Sequence, residues 1–226
     1  MLCFVCSLTH QYVLYCSAIY ACTYVRTHGV HSILSPAWCC SAENFDNITL
    51  AHHLQVMKEM IGRDKNHPSI VMWSLANEPN SALPEAEPYF KSVFDYTRQL
   101  DHSRPATFVC SADYNSDRAT QFADVILINR YYAWYDDTGH LELIHNFLSY
   151  DLENWYAKHK KPMMISEYGA GTVIGLHVYP PVAFTEDYQL QFHANYFETF
   201  DEYRSKFLIG ELIWNFADFM TDQGKP

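Results

Sequence analysis

Two glutamates, Glu78 and Glu167, stand in matched settings, each closing a short apolar run. Glu78 ends Ile70-Val71-Met72-Trp73-Ser74-Leu75-Ala76-Asn77 and is followed by Pro79; Glu167 ends Pro162-Met163-Met164-Ile165-Ser166. Two carboxyl groups at the ends of two strands of one parallel sheet are what acetal cleavage with retention needs. One protonates the departing oxygen, the other attacks the anomeric carbon, and the two must stand about 5 to 5.5 Å apart. Glu78 must then hold its proton near the working pH, which a low-dielectric pocket and a neighbouring anion both promote, while Glu167 must stay ionised. A single glutamate after a strand is ordinarily a solvated or salt-bridged loop carboxylate. A matched pair argues for chemistry.

Other chemistry-bearing groups lead elsewhere. His52 and His53 are adjacent on a helical stretch and face different directions, so they are expected as solvated histidines and not as metal ligands. Gly169-Ala170-Gly171 with Gly175 follows a strand, yet Ile174 occupies the third glycine position of a dinucleotide loop. Cys3 and Cys6 have redox or zinc spacing without a second ligand pair. Six of the seven cysteines (Cys3, Cys6, Cys16, Cys22, Cys39, Cys40) crowd the first forty residues, a shift in composition and not a disulfide framework. Neither metal nor organic cofactor is expected.

The formal net charge of −11, with no cluster of Lys and Arg, argues against nucleic acid or an anionic membrane as partner. A chain of 226 residues that is 49% hydrophobic and 18% charged has the balance of one core-burying domain. Residues 1–25 carry no charge and are mostly apolar, but the first cation is Arg26 and Thr9-His10-Gln11 interrupts the run, so neither a secretory signal nor a membrane span is expected there.

The elements that must position the glutamates become regular from about residue 47. Leu50, Leu54, Met57 and Ile61 recur at helical spacing, and Pro68 stops that helix ahead of the strand leading to Glu78. A helix over Tyr89–Leu100 precedes buried strands at Ala106–Val109 and Val125–Ile128. Ile144, Leu148, Leu152 and Trp155 stripe the next helix, Pro162–Ser166 is the strand that delivers Glu167, and Tyr188 to Tyr203 stripe another helix before a strand over Ile209–Asn215. Strands apolar on both faces and separated by helices imply a parallel α/β sheet, doubly wound or closed into a barrel. Periodicity leaves both open; polar and aromatic residues at several strand ends (Asn77, Glu78, Asn129, Tyr131, Glu167, Trp214) favour the TIM (β/α)8 barrel, of which five strands are counted. Asn47-Ile48-Thr49 fits the N-glycosylation acceptor pattern, with Asn47 the acceptor.

Four stretches carry a resemblance: Trp73-Ser74-Leu75-Ala76-Asn77-Glu78-Pro79, Asn129-Arg130-Tyr131-Tyr132, Ser166-Glu167-Tyr168-Gly169-Ala170, and Gly210 to Phe219. In order and separation they resemble the β-glucuronidases of glycoside hydrolase family 2, which also holds β-galactosidases and β-mannosidases, over about Asn44 to Asp222. The resemblance implies that Asn77 bonds the sugar 2-hydroxyl, that Glu78, ending the fourth strand, is the acid/base, and that Glu167, ending the seventh, is the nucleophile. It places Asn129 and Tyr131 at the site after the sixth strand, the tyrosine hydroxyl on the nucleophile, with Tyr135 lining the same wall. Trp214, ending the eighth strand, would floor the sugar subsite. The implied reaction is hydrolysis of terminal β-D-glucuronosides with retention, on a β-glucuronide or glycosaminoglycan-type saccharide, in a lysosomal or secreted homotetramer without cofactor.

Two departures from the family bear on activity. Its chains begin with a jelly-roll domain, an immunoglobulin-like domain and three barrel strands, none recognisable before about Asn44, and this chain stops at Pro226, ahead of an Asn-x-Lys segment whose lysine pairs with the glucuronate carboxylate. The expected division is therefore a divergent, Cys-rich apolar segment over 1–43, which reads as a mis-joined stretch with no assigned fold, and a partial barrel over 44–226 holding about strands four to eight. Descent and turnover are separate questions, so a catalytically inactive remnant or interaction module stays open beside the enzyme. A β-galactosidase or β-mannosidase specificity is a further alternative, disfavoured by the Trp214-Asn215-Phe216-Ala217-Asp218-Phe219 stretch.

Overall fold

The computed structural model describes residues 45–214, together with the backbone of three earlier strands, β1 (Leu2–Leu8), β2 (Gln11–Ser17) and β3 (Ser32–Leu34). Side chains of the six early cysteines, and Asn215 to Asp222 of the last motif, lie outside the described residues. The continuous part begins with a cap: the Asp46 carboxylate accepts from the Thr49 amide at 2.7 Å and satisfies one of the first free N–H groups of α1 (Asn47–Asp64).

Strands and helices then follow as β4 (Ile70–Asn77), α2 (Ala86–Leu100), β5 (Ala106–Cys110), β6 (Ile126–Asn129), α3 (Ile144–His159), β7 (Met163–Tyr168), α4 (Glu186–Arg204) and β8 (Leu208–Trp214), with only a short 3-10 turn, Thr120–Phe122, between β5 and β6. β4 to β8 lie side by side, all parallel and in chain order, with β3 parallel beyond β4 and the β1–β2 pair antiparallel beyond β8. Five consecutive parallel strands covered by their crossover helices form half of a TIM barrel, as the sequence pattern implies.

The two-sided apolarity of the strands resolves into two cores. Met72, Val109, Val125, Leu127, Met164 and Leu212 pack together on the inner face of the sheet. A larger cluster on the other face joins strand residues such as Trp73, Leu75, Phe108 and Ile165 to helix residues such as Phe90, Leu152 and Phe200. Burying a side chain of this size contributes about 1.5 to 3 kcal/mol, so most of the stability resides between sheet and helices.

Element boundaries moved by one to three residues. α2 starts at Ala86 where Tyr89 was expected, β6 runs to Asn129, and β8 starts at Leu208 and is described to Trp214. One expectation is overturned. His53 is buried, with Nε2 facing the Leu75 carbonyl at 2.9 Å and Nδ1 facing the Tyr89 hydroxyl at 3.0 Å, whereas His52 is exposed. A carbonyl only accepts, so Nε2 carries the hydrogen and Nδ1 accepts from the tyrosine; burial pushes the imidazole down to about 4. His53 thereby ties α1 to the strand that ends in Glu78. Among the described residues, no helix is long and apolar enough to cross a membrane.

Candidate active site

Both glutamates are delivered by departures from regular strand geometry. In an uninterrupted strand Ile165 and Tyr168, three residues apart, would face opposite ways. Both instead lie in the helix-side core, and the ladder to β8 shifts register between them. The irregularity turns Ser166 and Glu167 together toward the end of β6, where Ser166 meets Asn129 and Glu167 meets Tyr131.

Glu78 lies one residue beyond β4 with φ +49, a left-handed conformation that a residue with a Cβ adopts at a cost of about 1–2 kcal/mol. Two contacts hold it there. Its amide donates to the Val109 carbonyl at 2.8 Å, and its Oε1 accepts from Asn129 Nδ2 at 2.6 Å. Strain that persists because its surroundings over-determine it is characteristic of functional positions.

Asn129 is the hub. While Nδ2 donates to Glu78, its Oδ1 accepts the Ser166 hydroxyl at 2.7 Å, and its amide also faces Glu167. Tyr131 donates its hydroxyl to Glu167 Oε2 at 2.6 Å. Burial first, then the Glu167 charge, push the Tyr131 phenol far above its ordinary value, so it remains a donor at every physiological pH.

The charge state of Glu167 differs from the sequence expectation. The anticipated raised carboxyl was Glu78; the structure pushes Glu167 up to about 8, through burial and the charge of Glu78, against the hydrogen bonds of Tyr131 and Asn129. Between its ordinary value of 4.5 and about 8, Glu167 thus holds a proton in the folded chain. That the Glu78 charge opposes the ionisation of Glu167 is itself a sign of proximity.

Of the remaining expected residues, Tyr135 has a described contact with this centre. Asn77 ends β4, and its Oδ1 is buried with no hydrogen-bond partner among the described residues, an acceptor open to a ligand donor. Tyr135 packs its ring 4.9 Å from that of Tyr131 and is more than half exposed. Trp214 is half-buried at the end of β8 against the inner core. Asn47 is exposed in the first turn of α1.

The glycines after Glu167 serve packing and not phosphate. A Cβ on Gly169 would stand 1.9 Å from the Trp214 carbonyl oxygen, so only glycine lets β7 leave the sheet beside the end of β8. A Cβ on Gly171 would meet the Trp134 ring at 3.3 Å.

The sequence reading missed the support beneath Asn129 and Tyr131. Between them Arg130 is buried: its Nε is paired with the buried Asp151 of α3, and its other nitrogens donate to the Asn129 carbonyl at 2.7 Å and the Ala112 carbonyl at 3.0 Å. The Tyr196 hydroxyl donates to the Arg130 carbonyl at 3.1 Å, and the Arg130 amide to the Glu167 carbonyl at 2.9 Å. A signal was available. Asp151 is a charge inside the apolar stripe of Leu148, Leu152 and Trp155, and such a residue needs a cation. Among the described residues no group of three or more His, Cys, Asp or Glu is placed to hold a metal ion.

Comparison with known proteins agrees with this fold. The family model for glycosyl hydrolases family 2, TIM barrel domain, matches residues 7–226 and so reaches back into the segment left without a fold assignment. Human β-glucuronidase is 53% identical over 179 residues, 79% of this chain and 28% of that enzyme. A β-glucuronidase from an uncultured Clostridium superposes with a TM-score of 0.81 at 42% identity, covering 85% of this chain and 34% of its own. Bifidobacterium dentium β-glucuronidase, solved with coumarin-3-O-glucuronide, gives 0.76 at 34% identity, covering 87% and 32%. The chain spans little more than a quarter of the length of the curated relatives it matches. The chain belongs to glycosyl hydrolase family 2, and its sequence is that of the family's TIM barrel domain.

Proposed function

We propose that this site hydrolyses terminal β-D-glucuronosides with retention, Glu78 acting as acid/base and Glu167 as nucleophile. The observation that carries the reading is the shared amide: Asn129 bonds Glu78 and faces Glu167, so two carboxyls from strands well apart in sequence converge on one polar centre. In the first step the Glu167 carboxylate attacks the anomeric carbon while Glu78 gives its proton to the departing oxygen, leaving a glycosyl ester on Glu167. In the second, Glu78 takes a proton from water, which displaces the ester.

This sequence requires the proton held by Glu167 to reside on Glu78 when the sugar is bound. Tyr131 and Asn129 are the donors that favour the Glu167 anion. The open acceptor of Asn77 suits a sugar hydroxyl, and Trp214 at the end of β8 offers an apolar face to the ring. Glucuronide specificity follows from the relatives, all of those named above being β-glucuronidases. A lysosomal or secreted homotetramer, Asn47 as a glycosylation site, and a boundary near residue 44 belong to the same proposal.

Release of chromophore from an aryl β-glucuronide by the purified chain, lost in Glu167→Gln and absent with an aryl β-galactoside, is the expected result. A folded wild-type chain with no turnover would reduce the site to an inherited, inactive one.

A further inference from the structure

Ser166 enters none of the roles above, yet its hydroxyl is fully buried and directed at the amide that serves Glu78. An asparagine amide has one accepting and one donating end, and rotating it by half a turn exchanges them. With Oδ1 held by the Ser166 hydroxyl at 2.7 Å, the NH2 end faces Glu78 Oε1 at 2.6 Å. The rotated amide would set two acceptor oxygens against each other at that distance unless a proton stood between them.

We propose that Ser166 is a positioning residue that fixes the Asn129 amide and thereby decides which oxygen of Glu78 carries the catalytic proton. Oε1 accepts from Asn129 and cannot also hold a hydrogen directed at it, so the proton sits on Oε2, the oxygen free to meet the glycosidic oxygen. Without the Ser166 hydroxyl the amide turns, its Oδ1 accepts a hydrogen bond from the protonated Oε1, and the acid is bonded inward, away from the leaving group. A protonated Glu78 carries one proton in either arrangement; its place differs. The inference rests on the acid role assigned to Glu78 under the proposed function.

The test compares the full chain with Ser166→Ala, Ser166→Cys, which keeps the volume with a weak donor, and Ser166→Thr, which keeps the hydroxyl. Aryl glucuronides with poor leaving groups need the acid, whereas activated nitrophenyl glucuronides need it little. Ser166→Ala and Ser166→Cys are expected to lower kcat on poor leaving groups by about tenfold or more, keep activated substrates within about twofold and leave KM unchanged, with Ser166→Thr restoring the wild-type profile. Equal losses on both substrate classes, or none, overturn the proposal. A second measurement does not depend on turnover. Carbon NMR of the Glu78 carboxyl should show its titration moving to higher pH in the alanine and cysteine variants and not in the threonine variant. A titration unmoved in all three overturns the inference, whereas an inactive wild type with the expected movement sinks only the proposed function.

Discussion

Glu167 and Asp101 are two carboxyls with nearly the same exposure, 7% and 8%, and they have been driven in opposite directions. Asp101, just beneath the surface after α2, loses solvation, but it accepts from Ser103 at 2.6 Å, from Trp73 Nε1 at 3.0 Å and from Arg104 at 2.6 Å, and these hold it well below the carboxylate range. Glu167 lies deeper and has two neutral donors and a second carboxyl as neighbours, and it rises to about 8. Hydrogen bonds that outweigh lost solvation make a buried carboxylate structural, whereas burial beside a second carboxyl leaves it poised to exchange a proton.

The largest effect that would sharpen this contrast is Glu167→Gln. Turnover should fall on the order of 10⁴-fold or more, because the attacking oxygen is gone. Stability should change in a specific way as well. Between pH 4.5 and about 8 the folded form holds the Glu167 proton that the unfolded chain releases, so stability drains away as pH rises through that window. The variant should lack that slope and be the more stable of the two above pH 8, by on the order of a few kcal/mol, as thermal melting across pH would show. A wild-type chain with no such slope would break the comparison at its buried end.

Tyr131→Phe comes next. Removing the hydroxyl that donates to Glu167 Oε2 should lower kcat by about 10²-fold and move the downward stability slope to higher pH. A variant with wild-type kcat would show that the donor is irrelevant to the nucleophile.

Asp101→Asn should be the mildest for chemistry. Its bonds to Arg104 and Trp73 weaken, and about 1 to 3 kcal/mol of stability is lost with kcat unchanged. Because Asp101 is depressed in the folded state, its stabilisation is present above the ordinary value of 3.8 and is lost as pH falls below it. Wild type and variant should therefore converge in stability toward acid, measurable by denaturant unfolding.

Much of the frame was readable because it follows from local rules. β4 to β8 are apolar on both faces, and their helices carry stripes at helical spacing, so each element exists where the pattern puts it. Hydrogen bonds join Glu78 to Asn129 and Tyr131 to Glu167, with the Tyr135 ring against Tyr131. What could not be read depends on breaks in those same rules. Alternation gives no warning that β7 slips and brings Glu167 inward beside Ser166, or that Glu78 takes a left-handed backbone. His53 looked solvated because a histidine pair on a helix is usually so, and only the facing carbonyl of Leu75 made burial favourable. The reversal at Glu167 required knowing depth, which a sequence does not carry.

The central claim is that Glu167 bonds to the sugar while Glu78 handles the proton. Incubating the chain with a 2-deoxy-2-fluoro-β-glucuronosyl fluoride, whose glycosyl ester hydrolyses slowly, and mapping the labelled peptide by mass spectrometry tests it directly. The label should sit on Glu167 at one per chain. A label on Glu78 would exchange the two roles and contradict the account.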